Sequence, residues 1–211
     1  MNGVLKRFAR NKYCDSWYDL FAMFIERGLD LLCSNGYNAM VTMHSWMFLS
    51  SFEKLRKQII KRETIETMAH LGPRAFDTIS GEVVSTTTFK LRHQADPEYK
   101  GQYFRLIDGD SEAEKAQLLC DDLPGDGNKM HTNYYRASAT SFTEIPGAPI
   151  AYWVSESFRS AFSNPSLSKY FDTRLGMSTA NNDRFLRFWS EVAQGHICMS
   201  ASSRGEALAS S

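Results

Sequence analysis

Four cysteines, Cys14, Cys33, Cys120 and Cys198, are scattered through 211 residues with no paired spacing. That pattern suggests neither a zinc site nor a disulfide framework, and a reduced cytoplasmic protein fits it best. Long apolar runs are absent too. No stretch reaches the ~20 apolar residues that a bilayer-spanning helix needs. The first residues alternate basic and apolar side chains without the apolar core of a signal peptide, so no export or membrane insertion is expected. Net charge is also lacking: 24 basic side chains meet 24 acidic ones, which leaves no whole-chain footprint for a polyanion. The five histidines show no mutual spacing that argues for a metal or a general base.

What is present is a globular composition, 43% hydrophobic and 23% charged. Charge is unevenly spread, with residues 1–93 net basic and residues 94–126 strongly acidic. From residue 15 or 16 to 32, apolar side chains recur at three- and four-residue spacing, which predicts an amphipathic helix ending at Asn35-Gly36. Residues 38–43 form a short apolar run suited to a buried parallel strand. Ser50-Ser-Phe-Glu53 has capping-box spacing and opens a helix through Leu55, Ile59 and Ile60. Residues 64–71 and 82–91 predict two more strands, the last antiparallel to its neighbours because the loop before it is too short for a crossover helix. Helix, strand, helix, strand, loop, strand is the C-terminal half of a doubly wound α/β sheet.

Beyond it, the polar stretch 94–129 reads as an acidic insertion or linker, with a helix predicted over 111–119. A fresh globular pattern starts near Tyr134 and leads through a turn-rich Ile145-Pro-Gly-Ala-Pro149 to a helix over 153–162. Residues 195–211 are small and polar, without periodicity, and read as a disordered tail.

Several blocks in a fixed order carry a family resemblance. They are Ser16-Trp-Tyr-Asp-Leu-Phe-Ala-Met-Phe-Ile-Glu-Arg27, Asn35-Gly-Tyr-Asn-Ala-Met-Val-Thr-Met43, Ser45-Trp-Met-Phe-Leu-Ser-Ser-Phe-Glu-Lys-Leu-Arg56, Met68-Ala-His-Leu-Gly-Pro-Arg-Ala-Phe-Asp77 and Gly81-Glu-Val-Val-Ser-Thr-Thr87, followed by Ile150-Ala-Tyr-Trp-Val-Ser155 and Asn181-Asn-Asp-Arg-Phe-Leu-Arg187. Together they resemble the adenine-specific DNA methyltransferases of BREX phage-defence systems, the PglX-like family, over about residues 1–192. The resemblance implies a Rossmann-like, S-adenosylmethionine-dependent methyltransferase sheet over 1–93 and the start of an α+β target-recognition region over 130–194. It implies S-adenosyl-L-methionine as cofactor, and double-stranded DNA and other BREX defence proteins as partners.

The family's Gly-rich cofactor loop and its Asn-Pro-Pro-Tyr motif do not occur in this sequence. Methyl transfer to an adenine amine needs acceptors that free the lone pair and a sulfonium methyl held in line with it. The expectation is therefore an internal fragment, inactive alone, with no catalytic residue of its own. The alternatives are a non-catalytic DNA-binding or complex-forming module, or a pseudogene product without function.

Candidate site residues follow from the resemblance. Phe76 occupies the loop position where the family sets an aromatic ring against the flipped adenine; the alternative is a ring packed in the core. Leu20 and Phe24 line up with positions bordering the adenine of S-adenosylmethionine; by spacing alone they are core residues of an amphipathic helix. Asp19 at the head of that helix suits a cap or the dipole. Lys54, Lys57 and Lys61 form a basic helix face, able to contact DNA phosphates or simply solvated. Asn182 and Arg184 suit base-edge readout in the recognition part, against the plainer reading of a polar loop.

Overall fold

The computed structural model describes residues 2–77, 84–123, 132–166 and 169–171. The chain divides into two compact units, Met1–Asn164 and Pro165–Ser211. Of the second, only residues 165–166 and 169–171 are described, so Asn182, Arg184 and the tail 195–211 lie outside the described residues.

Helix α1 (Gly3–Lys12) starts where Asn2 accepts a hydrogen bond from the Leu5 amide at 2.9 Å, a side-chain cap for a donor otherwise orphaned. Helix α2 (Leu20–Asp30) begins later than its apolar spacing predicts. Residues 13–19 turn instead, and the buried Ser16 hydroxyl donates to Glu26 at 2.5 Å, which fastens that turn to the helix. Asp19 takes the N-cap position without a side-chain cap bond, so its contribution is charge near the positive end of the helix.

Five strands form one sheet among the described residues: β1 (Tyr37–Met43), β2 (Thr64–Gly72), β3 (Thr86–Arg92), β4 (Lys100–Arg105) and β5 (Tyr134–Ser138), in spatial order β1-β3-β2-β4-β5. Strand β3 lies between β1 and β2 and is antiparallel to both, as the short loop predicted. Those two are therefore parallel to each other, and helix α3 (Glu53–Arg62) supplies the connection between them. Strand β3 starts at Thr86; residues 82–83 of the predicted strand lie outside the described residues.

Two strands were not foreseen. Within the stretch expected as an insertion or linker, β4 joins the sheet parallel to β2, and β5 then pairs antiparallel with β4. The sequence Lys100-Gly-Gln-Tyr-Phe-Arg105 conceals its strand because glycine interrupts the alternation. Glycine is required there: a Cβ at Gly101 would come within 2.3 Å of the Ile65 carbonyl oxygen. Tyr134, read as the start of a fresh pattern, instead extends the same sheet, and the first compact unit continues to Asn164.

The main core lies on the sheet face covered by α2 and α3. It joins Ile25 and Leu29 of α2, Leu55 and Ile59 of α3, Met68 and Phe89 of the strands, and Trp46, Phe142 and Tyr152 of the connecting turns. Helix α4 (Glu112–Asp122) covers the other face, where Leu118 and Leu119 pack on Ala69, Phe104 and Leu106. Ser111 caps α4 by accepting from the Glu114 amide at 3.2 Å. The predicted capping box at Ser50 does not form. Residues Ser50–Phe52 wind into a 3-10 turn that satisfies the Phe52 amide through the Leu49 carbonyl, and Glu53 bonds Lys57 instead.

One buried arginine ties distant parts together. Arg56, 1% exposed, donates to the carbonyls of Trp46 at 2.8 Å, Leu49 at 2.6 Å, Gly147 at 2.7 Å and Ala148 at 3.1 Å. Ala148 has a positive φ of 47°, a costly conformation for a residue with a Cβ, and Arg56 holds its carbonyl in place. This is how the 145–153 segment is fixed against the end of β1.

Candidate functional site

The parallel strands β1, β2 and β4 end along one edge of the sheet, at Met43, Gly72 and Arg105. This is the edge at which open α/β sheets bind ligands. Gly72 has φ +68°, and a Cβ there would meet Ile107 at 2.8 Å, so the chain can turn sharply out of β2 into Pro73. The turn carries Arg74, which pairs with Asp110 at 2.7 Å, then the buried Ala75 and then Phe76. Phe76 is 39% exposed, so part of its ring is open to solvent. Asp77 accepts from the Glu112 amide at 3.3 Å and anchors the far side of the turn.

Beneath this edge runs a chain of polar groups. His44, the residue after β1, places Nδ1 2.7 Å from Nε2 of His70, and His70 Nδ1 lies 3.3 Å from the Tyr152 hydroxyl. Burial, aided by the neighbouring His44, Arg105 and Lys115, lowers the His70 pKa to about 4. Burial likewise lowers that of His44 and raises the Tyr152 phenol. Neutral imidazoles can then link head to tail, one donating and the next accepting. Phe48 and Trp153 border the chain, 5.8 Å apart between ring centroids. No group of histidine, cysteine and acidic side chains suited to a metal ion occurs among the described residues.

The other sequence-derived candidates separate from this edge in different ways. Leu20 and Phe24 are 55% and 57% exposed, so the reading of both as core residues is overturned; Ala22, Met23, Ile25 and Leu29 form the buried face instead. Lys54, Lys57 and Lys61 are exposed on α3, Lys57 paired with Glu53 at 2.6 Å and Lys54 near Asp15 at 3.9 Å. Arg56, in the same basic run, is turned inward. A polar cleft between α2 and α3, lined by Glu26, Asp30, Arg62, Glu63 and His93, opens where β2 begins, away from Phe76. Burial there raises the Glu26 pKa.

Sequence reasoning missed the His44–His70–Tyr152 chain. Its signal was available only in part: His44 and His70 each lie at or near the end of a predicted strand, but Tyr152 comes from a segment that the sequence assigned elsewhere.

An antiparallel strand inserted between two parallel neighbours, in a five-stranded sheet with helices on both faces, makes this a mixed α/β fold. Residues 1–76 match the family of Eco57I restriction-modification methylases. The crystal structure of the type IIG restriction endonuclease BpuSI superposes with a TM-score of 0.52 at 9% identity, covering 73% of this chain and 19% of that one. At that identity the likeness is one of fold.

More particularly, the chain is 44% identical over 197 residues to the adenine-specific methyltransferase BrxX of Escherichia coli O9:H4 (strain HS), covering 92% of this chain and 15% of the relative. It is 43% identical over 194 residues to the adenine-specific methyltransferase PglX of Lacticaseibacillus casei (strain Zhang), covering 91% of this chain and 16% of the relative. The chain is thus homologous to a segment of the PglX-like adenine-specific methyltransferases, as its ordered sequence blocks indicated. It spans about 15% of the length of the curated relatives it matches.

Proposed function

We propose that this chain is the part of a BREX-type adenine-N6 DNA methyltransferase that receives the target base, working on double-stranded DNA with S-adenosyl-L-methionine as methyl donor. Exposure of Phe76 at the end of β2 is the observation that carries the reading. A planar apolar ring held open to solvent on an anchored turn suits a base taken out of the duplex, which is stabilised by stacking. Leu20 and Phe24, open on α2, are free to border the cofactor's adenine, while the exposed Lys54, Lys57 and Lys61 would meet phosphates, Lys57 and Lys54 by exchanging their present partners Glu53 and Asp15. Asn182 and Arg184 serve in base recognition. The methyl-transfer groups themselves belong to Gly-rich and Asn-Pro-Pro-Tyr segments that this sequence does not contain, so the chain alone is inactive. Among the described residues no helix is long and apolar enough to cross a membrane. A cytoplasmic defence role, with other BREX proteins as partners, fits the reading.

The test is an exchange of segments. This chain replaces the matching portion of the Escherichia coli BrxX, and adenine methylation of host DNA is mapped by direct sequencing. Methylation by the exchanged enzyme supports the reading. A soluble exchanged enzyme that leaves all adenines unmodified counts against it, and favours a non-catalytic module.

A further inference from the structure

Trp153 is 40% exposed at the sheet edge that carries Phe76, although its neighbour Tyr152 is 3% exposed. Tyr152 makes the core contacts, stacking on Tyr103 at 5.0 Å and 11°. The Trp153 ring stands beside Phe48 at 5.8 Å and 63°, and Phe48 meets the His44 ring at 5.7 Å and 89°. Both Phe48 and His44 are partly exposed. The assembly is held from behind. His70 lies 6.5 Å from the Trp153 ring, bonds His44 and contacts Tyr152, while Arg159 donates to the Val154 carbonyl at 2.6 Å. His44 Nε2 has no hydrogen-bond partner among the described residues.

Extruding one base from a duplex leaves its partner orphaned and its neighbours unstacked, at a cost of a few kcal/mol. A surface that accepts one base therefore gains from covering a second. Aromatic rings do this for any base, since every base has a π-face.

We propose that Phe48, Trp153 and His44 form a second stacking platform, which takes an unpaired nucleobase next to the adenine received by Phe76, with His44 Nε2 available to its polar edge. The proposal rests on the DNA-binding reading above. It adds a base-stacking surface that is separate from the Phe76 turn in sequence and anchored by different contacts.

The experiment uses the 211-residue chain carrying Phe76→Ala, so that the first ring does not contribute. It is titrated with two labelled duplexes of one sequence, fully paired or with an abasic site in place of the target adenine so that its partner thymine is left unpaired, and the ratio of their affinities is read. The ratio should favour the abasic duplex by roughly tenfold, the scale of one base stacked on one aromatic ring. Adding Trp153→Ala or Phe48→Leu should bring the ratio close to one, and Trp153→Phe should retain most of it. A melting curve on each variant, with Trp153→Phe as the folded reference, separates loss of stacking from loss of fold. A ratio unchanged by Trp153→Ala in a folded chain overturns the platform while leaving DNA binding intact. Absence of salt-dependent binding to either duplex overturns the DNA reading, and the platform with it.

Discussion

Replacing Arg56 by methionine removes the guanidinium but keeps an unbranched chain of similar reach. Four carbonyls, those of Trp46, Leu49, Gly147 and Ala148, lose their donor at once. A buried acceptor left unsatisfied costs about 1–3 kcal/mol. The variant also escapes the cost of burying a charge, and water can reach the two partly buried bonds to Leu49 and Gly147. A net loss of about 3–5 kcal/mol is expected, since four acceptors lose their donor and water recovers only part of the loss. At about 2–4 °C per kcal/mol for a unit of this size, the melting temperature should fall by roughly 6–20 °C. Arg56→Lys keeps the charge but has three donors without the planar fork, and should fall between. Denaturant unfolding gives the energy, and amide exchange at Ile150, bonded to the Met47 carbonyl at 2.9 Å, reports whether the 145–153 segment detaches. If Arg56→Met proves no more harmful than the surface change Lys57→Met, within about 0.5 kcal/mol, Arg56 is not the tie described.

Three further expectations can be checked quickly. His70 has a folded pKa of about 4 against about 6.5 unfolded, so the unfolded chain takes up its proton first; stability is complete above about pH 6.5, declines toward pH 4 and levels below it, by up to about 3 kcal/mol. The difference between wild-type and His70→Gln unfolding curves across that window isolates this contribution, and a flat difference refutes it. Phe24→Ser on the exposed face of α2 should change stability by no more than about 0.5 kcal/mol, whereas a loss of several kcal/mol in thermal unfolding would return Phe24 to the core. Calorimetric titration of the isolated chain with S-adenosylmethionine should show no saturable micromolar binding, since no Gly-rich loop is present to cradle the cofactor; a clear isotherm contradicts that.

The first three strands were legible because each is either continuously apolar or β-branched and bounded by turn residues, and because the loop predicted before the third, residues 72–81, leaves no room for a crossover helix. Helix α4 was legible through its cap and acidic first turn. Strands β4 and β5 were not: β4 is short and glycine-interrupted, and both owe their place to pairing partners rather than to their own pattern. Spacing also misassigned the faces of α2. Leu20 and Phe24 fit an amphipathic stripe as well as Phe21 and Ile25 do, and only the position of the sheet decides which pair is buried. Arg56 hid within a run of basic residues whose other members are solvated. The exposure of Phe76 followed from its turn, whereas the ring pair of Phe48 and Trp153 joins segments about a hundred residues apart, beyond what local pattern can reveal.

Phe76 carries the central claim, and the exchanged BrxX enzyme allows it to be tested with turnover and stability measured on the same samples. If the ring stacks on the extruded adenine, Phe76→Ala should lose about 1–3 kcal/mol of base stacking, seen as reduced adenine methylation, with the melting temperature nearly unchanged. Phe76→Trp should remain active. If the ring is packed, Phe76→Ala would open a cavity costing roughly 3–5 kcal/mol and lower the melting temperature sharply, while Phe76→Trp would overpack the site. Reduced methylation at unchanged melting temperature is the predicted result; a large loss of melting temperature with Phe76→Ala contradicts a stacking role.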